Sequence, residues 1–578
     1  MSSSGPGRWI YEFYRHNRGG VHVALLLTVL ASLVEVVSIA LYYPVFALLT
    51  GTPVAEGVAS RLLARAAGLV GQPPALAAVL AVLVGLVVVR AVCLYVARVV
   101  SNRYELRFQL QLKQDFLRRF AASTWAFVIQ HKSGSLLNIF SQYTGDASRG
   151  LFCLLEFLID LVACLAYVSF ALFVSPALAA FIVVAGLVAG PLLRWIYRLI
   201  RSLVAERIQV QDRLADKFLD YLRGFKTFKS MGIEALYLRE LGRDLSTFTD
   251  NARRSYGAQL ALAQVGEPLF AVVGALFLLV AYYWFRVGME TIIIFFALLT
   301  RTYSRLSSLQ VNLGRLVGHT PAIRACVEFD ALARAAAEPE AGRPLTGPIA
   351  TIELDHVGFV YPDGTRVFEN VSLRLGVDRG LIALVGPSGA GKSTLLDLFA
   401  GLLRPTEGVF RINGIDVREI DLRALRARVG VVPQSPILFN RSVRENISLR
   451  EEALTDAARV EEAARQADAH EFITRLPEGY DARMGDDGAS LSVGQIQRLS
   501  IARALYQQPE IMFFDEPTSA LDPASTTEVM SVIERIAERY PVFLITHSPE
   551  VRRHAQWLLF LDEGRLRVAE PAAAEGRP

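Results

Sequence analysis

Gly386-Pro-Ser-Gly-Ala-Gly-Lys-Ser-Thr394 lies between an apolar run, Leu381 to Val385, and the sequence Leu395-Leu396-Asp397-Leu398-Phe399. It reads as a buried strand, a glycine loop and the first turns of a helix. Gly386, Gly389 and Gly391, with Ser388 among them, let the backbone bend so that successive N–H groups and the helix N-terminus point at one anionic centre. Lys392 adds a point charge. Ser393 follows where its hydroxyl reaches a magnesium ion shared with β- and γ-phosphates, and Thr394 completes the turn. A loop of this kind is a phosphate cradle.

Outward from the loop, the second half of the chain is α/β, with short alternating strands from Thr351 and β and α segments in alternation to about Val568. Tyr361 stands where a ring can stack on a purine, or serves as an ordinary strand residue. Val431-Val432-Pro433-Gln434 is a buried strand ending in a polar amide. Leu491-Ser-Val-Gly-Gln495 opens a helix, so the N–H groups around Ser492 and Gly494 form a second anion site that the first does not explain. Ile511-Met-Phe-Phe-Asp515 is a strand buried on both faces that ends in a carboxylate, and Glu516 follows. Asp515 is placed to hold magnesium, and Glu516 to orient and deprotonate water. His547, after the strand Val542 to Thr546, reaches the γ-phosphate.

The first half is of another kind. Of the 578 residues, 52% are hydrophobic and 20% charged, and the mean hydropathy is +0.35. Those proportions point to membrane spans. A net charge of +4 gives no reason to propose nucleic acid as a partner. Cys93, Cys153, Cys164 and Cys326 share no metal-ligand spacing and read as free thiols. Residues 8–18 mix aromatic and basic side chains as an interfacial helix does. Spans follow at about 21–49, 75–100, 151–174, 177–200, 258–285 and 291–309, and no cleavable signal precedes them. Lys and Arg crowd 101–150 and 201–257, which puts both termini and both long loops in the cytoplasm. The loops continue the helical period, with cross-helix turns expected near Ser133-Gly134 and Arg223-Gly224. Residues 1–320 form the membrane domain, 321–350 a linker and 351–578 the second domain.

Together these motifs resemble the nucleotide-binding domain of an ABC transporter, and six preceding spans resemble an exporter half-transporter. The resemblance implies ATP and Mg2+ as cofactors and assigns roles by position. Tyr361 stacks on adenine, Gly386 to Thr394 is the Walker A loop, and Gln434 contacts magnesium beside Ser393 and Asp515. Leu491 to Gln495 is the signature, Asp522 lies in the D-loop, Glu516 is the catalytic base and His547 the switch histidine. It also implies a fold class, a six-helix membrane domain with long cytoplasmic extensions fused to an α/β P-loop ATPase. A signature that closes on another subunit's cradle implies a second copy, or a different chain, as partner. The expected location is a membrane, the inner membrane of a bacterium, with lipid around the spans. The sequence departs from the family at Val493, where glycine is usual, and at Asp486, where glutamate is common. Ser492 and Gly494 are kept, so function is expected to survive; Asp486 shortens the arm expected at the coupling helix.

Cargo is less legible. Glu35, Glu156, Asp160 and Glu267 are ionisable groups within spans, with Arg90 available to pair with one of them. Such groups either line a cavity that holds a cationic or hydrogen-bonding part of an amphipathic substrate, or tie helices together. The run Glu35 to Pro44 is similar to the first span of exporters of lipid-linked oligosaccharides or peptides, and no peptidase domain precedes the spans. An importer on the same fold and an ATP-gated regulator are the rival readings.

Overall fold

The computed structural model describes residues 6–42, 45, 49, 76–174, 176, 180, 213–283 except 215 and 219, 289–339, 342–484 except 378, 491–546 and 555–569. The chain divides into two compact units, one of residues 1–122 and 131–335, the other of 123–130 and 336–578.

The first unit is helical. Helices α1 (Pro6–Ala40) and α2 (Leu76–Ala121) pack along each other. After α3 (Trp125–Gln130), which belongs to the second unit, come α4 (Ser133–Asn138), a π-helical turn (Ile139–Tyr143) and α5 (Thr144–Val174). A helical stretch ending at Met231 precedes α6 (Glu234–Tyr283), and α7 (Met289–Ala335) follows, packing along α5. At 1.5 Å per residue, the 46-residue α2 is about 70 Å long, against a hydrocarbon core of about 30 Å. Such helices cross a bilayer and continue well beyond it. Among the described residues, Arg18–Ala40, Val79–Ala121 and Ser133–Leu172 contain stretches long and apolar enough to span, and Ala271–Val280 is a shorter apolar stretch within α6. Expected span 177–200 falls almost wholly outside the described residues. An apolar core of Ile39, Ala171, Phe277, Phe295 and Leu298 joins α1, α5, α6 and α7.

Three local expectations are corrected. The interfacial helix expected at 8–18 is no separate element, because α1 runs unbroken from Pro6; at Gly20 an added Cβ would overlap the ring of Tyr104, so the glycine serves close packing against α2, not a break. The first cross-helix is α3, earlier than Ser133-Gly134; the fold assigns this segment to the second unit because Phe127 is buried there and Ala126 packs on its core. The second turn comes at Gly232, with φ +65°, and not at Gly224, which is helical. Rings explain the delay: Tyr221, Phe228 and Tyr237 stack at 4.8–5.5 Å across the Gly232 turn, and Lys229 pairs with Glu234 at 2.7 Å. The helical run of α7 continues to Ala335, and the two units divide within 321–350, the stretch expected as linker.

The second unit holds two sheets. A four-stranded antiparallel sheet has the order β2-β1-β4-β5, from β1 (Thr351–Val360), β2 (Arg366–Gly376), β4 (Glu407–Ile412) and β5 (Ile415–Asp416). The other has the order β10-β9-β3-β8-β7-β6. Its strands β3 (Gly380–Val385), β6 (Val429–Val432), β7 (Ile511–Asp515), β8 (Pro541–Ile545) and β9 (Trp557–Asp562) pair in parallel, and β10 (Arg565–Ala569) is antiparallel to β9. Strands covered on both faces must be apolar throughout, and the Leu381–Val385, Ile511–Phe514 and Pro541–Ile545 runs are fully buried. With β3 next to β8 and β8 next to β7, the carboxyl ends of β3 and β7 open on the same edge, where ligands of open α/β sheets bind.

Candidate functional site

The glycine loop leaves β3 at that edge and enters α8 (Lys392–Phe399). Two of its glycines are required by their surroundings. At Gly386 a Cβ would lie 2.0 Å from the Leu561 carbonyl oxygen, and Gly391 holds φ +96° at the α8 N-cap with Val367 and Phe368 against it. Gly389 has a φ of +81°, which suits the bend of the loop, and an added Cβ there would meet open space. Lys392 is buried, and its Nζ donates to the carbonyls of Gly386 (3.0 Å) and Pro387 (2.9 Å), so the ammonium is drawn back over the loop. Ser393 Oγ donates to Asp515 Oδ1 at 3.1 Å, joining the start of α8 to the end of β7. Gln434 Nε2 donates to Glu516 Oε2 at 3.1 Å and approaches Ser519 Oγ at 3.4 Å. Glu516 has φ +43°, a left-handed conformation that costs a non-glycine residue about 1–3 kcal/mol and is found at functional turns. Burial holds the Asp515 carboxyl above its usual range, and the neighbouring Glu516 charge adds to this, while the Ser393 hydroxyl and Lys392 oppose it.

The expected residues therefore meet: Lys392, Ser393, Gln434, Asp515 and Glu516 form one linked group. Tyr361 hydrogen-bonds through its hydroxyl to Thr394 Oγ1 at 3.0 Å, which fixes its ring beside the start of α8. The signature opens helix α12 (Val493–Tyr506), which comes after α9 (Leu422–Arg426), α10 (Val443–Ser448), α11 (Ala457–Gln466) and a further short helix at His470–Thr474. Ser492 is its N-cap, accepting from Gln495 N, while the Gln495 side chain accepts from Ser492 N, a capping box that fixes the helix start. Val493 is 52% exposed, so the branched residue in place of glycine disturbs no core. Asp522 caps α13 (Pro523–Ala537), accepting from Ser525 N and Oγ, and those bonds hold its carboxyl below the usual range. His547 and Asp486 lie outside the described residues.

Two contributors were missed. Asp397, in the apolar run of α8, is pushed up to about 6 by burial and then by the Asp515 charge, with a hydrogen bond from Trp125 of α3 opposing. A lone carboxylate in Leu-Leu-Asp-Leu-Phe was the visible signal. Arg503 of α12 donates to Asn446 O (2.8 Å) and Ile437 O (3.0 Å), tying the signature helix to the segment after Gln434.

In the first unit, a cavity of about 280 Å³ is lined from α1, α2, α5 and α7. Glu35, 4% exposed, pairs with Arg90 at 2.9 Å and Arg301 at 3.1 Å, and the Tyr167 hydroxyl donates to its other oxygen. Asp160 accepts from Arg305 (3.0 Å) and Asn312 (3.1 Å). Glu35 and Glu156 line the cavity, and Asp160 is held beside it by α7. Glu267 sits on α6 before Pro268, and its side chain lies outside the described residues. The partners Arg301, Arg305 and Asn312 were missed, although their spacing, with Ser308 between, places them on one helical face.

Comparison with known proteins accords with both units. The ABC transporter transmembrane region matches residues 23–305, and the ABC transporter family matches 368–519, so that together they take in most of the chain. The chain belongs to the ABC transporters, with a membrane domain and an ATPase domain fused in one polypeptide. It is 30% identical over 375 residues to the ATP-dependent lipid A-core flippase of Saccharophagus degradans, covering 63% of this chain and 61% of that one. It is 38% identical over 236 residues to ABC transporter B family member 1 of Arabidopsis thaliana, covering 40% of this chain and 18% of the relative. Thus it spans less than two thirds of either relative. A solved structure of a bacterial Atm1-family ABC exporter with ATP bound has the same fold, with TM-score 0.78 and 23% identity over 97% of this chain and 96% of that one.

Proposed function

We propose that the chain is an ATP-driven exporter or flippase that works as a homodimer, moving an amphipathic substrate out of the cytoplasm or the inner leaflet by alternating access. The observation that carries the reading is the Ser393–Asp515 link at 3.1 Å beside the Gln434–Glu516 link at 3.1 Å, all at one sheet edge. A hydroxyl and a carboxylate side by side are the hard oxygen donors Mg2+ selects, and the Gln434 amide oxygen is a third. These residues fit the ion, which when bound neutralises charge on the phosphates. Lys392 and the loop N–H groups hold the phosphates, and Tyr361 covers the base. Glu516 orients water and accepts its proton; the amide of Gln434 positions that carboxylate. His547 is assigned to the γ-phosphate by its place after β8.

One chain has one lysine cradle and one signature helix start, so the site is completed by the signature of a second copy. Binding of ATP would favour the closed dimer and hydrolysis would release it, and the membrane helices would follow. In lipid vesicles the purified protein is expected to hydrolyse ATP and to move substrate outward. Glu516→Gln should cut ATP turnover by at least about 100-fold while leaving nucleotide binding within a few fold, because a general base contributes about 10²–10⁴ to the rate. Turnover by Glu516→Gln equal to wild type would remove Glu516 from its role, and hydrolysis without net movement would favour a regulator over a pump.

A further inference from the structure

Among the described residues, the cavity in the first unit holds more guanidinium than its carboxylates satisfy. Arg90 of α2 and Arg301 of α7 both approach one oxygen of Glu35, at 2.9 and 3.1 Å. Neither contact has hydrogen-bond alignment at that oxygen, and Arg90 Nε is buried with no acceptor among the described residues. Glu35 is committed on its other oxygen to Tyr167. Among the described residues, one carboxylate against two guanidiniums leaves a unit of positive charge, together with one buried donor, Arg90 Nε, that lacks an acceptor. Arg305 is balanced by Asp160, and Arg98 has Glu156 as its electrostatic neighbour, so neither carboxylate offsets the excess. The hydroxyls of Ser101, Ser304 and Ser308 line the same space. Of the two roles left open for Glu35, this arrangement is the pairing one: its oxygens already face arginines and are poorly placed to hold a cation.

The geometry points to an anion site, in which Arg90, Arg98 and Arg301 receive the phosphate-bearing headgroup of an amphipathic substrate. A phosphate monoester has several acceptor oxygens and takes guanidinium pairs in bidentate fashion, so it satisfies donors that Glu35 leaves unaligned. The volume of about 280 Å³ lies just below the roughly 300–1,000 Å³ of whole-ligand pockets, which suits a headgroup whose acyl chain remains in lipid. As a substrate assignment this rests on the transporter reading above; as a binding site it is independent of it.

Binding to the full-length protein in phosphatidylcholine nanodiscs, measured without ATP, tests it. The probes are 1-oleoyl lysophosphatidate, the neutral monoolein, the cationic oleylamine and inorganic pyrophosphate. Lysophosphatidate should bind at least about tenfold more tightly than monoolein or oleylamine, and Arg301→Gln and Arg98→Gln should each erase about tenfold of that preference. Arg301→Lys should recover part of it. Arg98 is exposed, so its variant carries the test if Arg301→Gln fails to assemble. Tightest binding of oleylamine, equal binding of monoolein, or unchanged preference in both glutamine variants would overturn the anion site. Pyrophosphate binding as tightly as lysophosphatidate would overturn the headgroup assignment in favour of free phosphate. Phosphate selectivity with no ATP-driven movement would leave the site standing and overturn the transporter reading alone.

Discussion

Asp397 illustrates how one residue in the wrong company alters the energetics of a site. Its carboxyl is pushed up to about 6, first by burial and then by the charge of Asp515. An ordinary aspartate titrates near 3.9, so between about pH 4 and 6 the folded protein holds a proton that the unfolded chain has lost. Stability must fall as pH rises through that window and stay lower above it. Asp397→Asn should abolish this slope and raise the melting temperature at pH 7.5 by about 2–4 °C, the shift that 1 kcal/mol brings in a domain of this size, after discounting for partial solvent exposure. Thermal melts of the two proteins from pH 4.5 to 8 would show it; parallel curves would discard the shifted carboxyl. Gly391 is a second case. With φ +96° and Val367 at 2.3 Å from an added Cβ, Gly391→Ala should weaken nucleotide binding by about tenfold or more, read with a fluorescent ATP analogue.

At the scale of elements, α3 is the least expected piece. The chain leaves α2 at Ala121, places six residues as α3 in the second unit, and returns at His131. Phe127 is 6% exposed, Trp125 hydrogen-bonds Asp397, and Ser123 bridges to Ala337. Since α3 is bonded to Asp397, in the last turn of the phosphate-loop helix, movement at the nucleotide is expected to reach the membrane segments through it. Phe127→Ala removes a buried ring, a change that costs about 3–5 kcal/mol where nothing relaxes. Basal ATP hydrolysis should survive in Phe127→Ala, while stimulation by a transported amphipath should be lost. Retained stimulation would show that α3 is only packing. The turn at Gly232 teaches a related lesson: a glycine beside an arginine at 223–224 looked like a break, yet the stacked rings of Tyr221, Phe228 and Tyr237 carried the helix onward.

At the scale of the whole molecule, the open question is who completes the nucleotide site. If the signature of one copy serves the cradle of the other, Lys392→Ala and Ser492→Arg should each be inactive alone. Co-assembled, they should recover measurable ATP turnover, because a mixed dimer contains one site with both residues intact. No recovery in verified mixed dimers would mean that cradle and signature act within one chain, or that one intact site does not turn over.

The nucleotide domain was nearly all legible in the sequence, because its chemistry sits in contiguous runs. Glycines, a lysine and a serine must adjoin to wrap a phosphate, and strands buried on both faces must be apolar from end to end, so Gly386–Thr394 and Ile511–Asp515 announce themselves. The long helices that run beyond a bilayer's thickness followed from hydrophobic length and period. What the tertiary structure alone decided is which distant groups meet. Glu35, Arg90, Tyr167 and Arg301 come from four helices, and no spacing along the chain records that two guanidiniums share one carboxylate. The same holds for Trp125 and Asp397, and for the Gln434 amide on Glu516. Local backbone demands are written in neighbouring residues, whereas the sign of a cavity depends on charges brought together by packing.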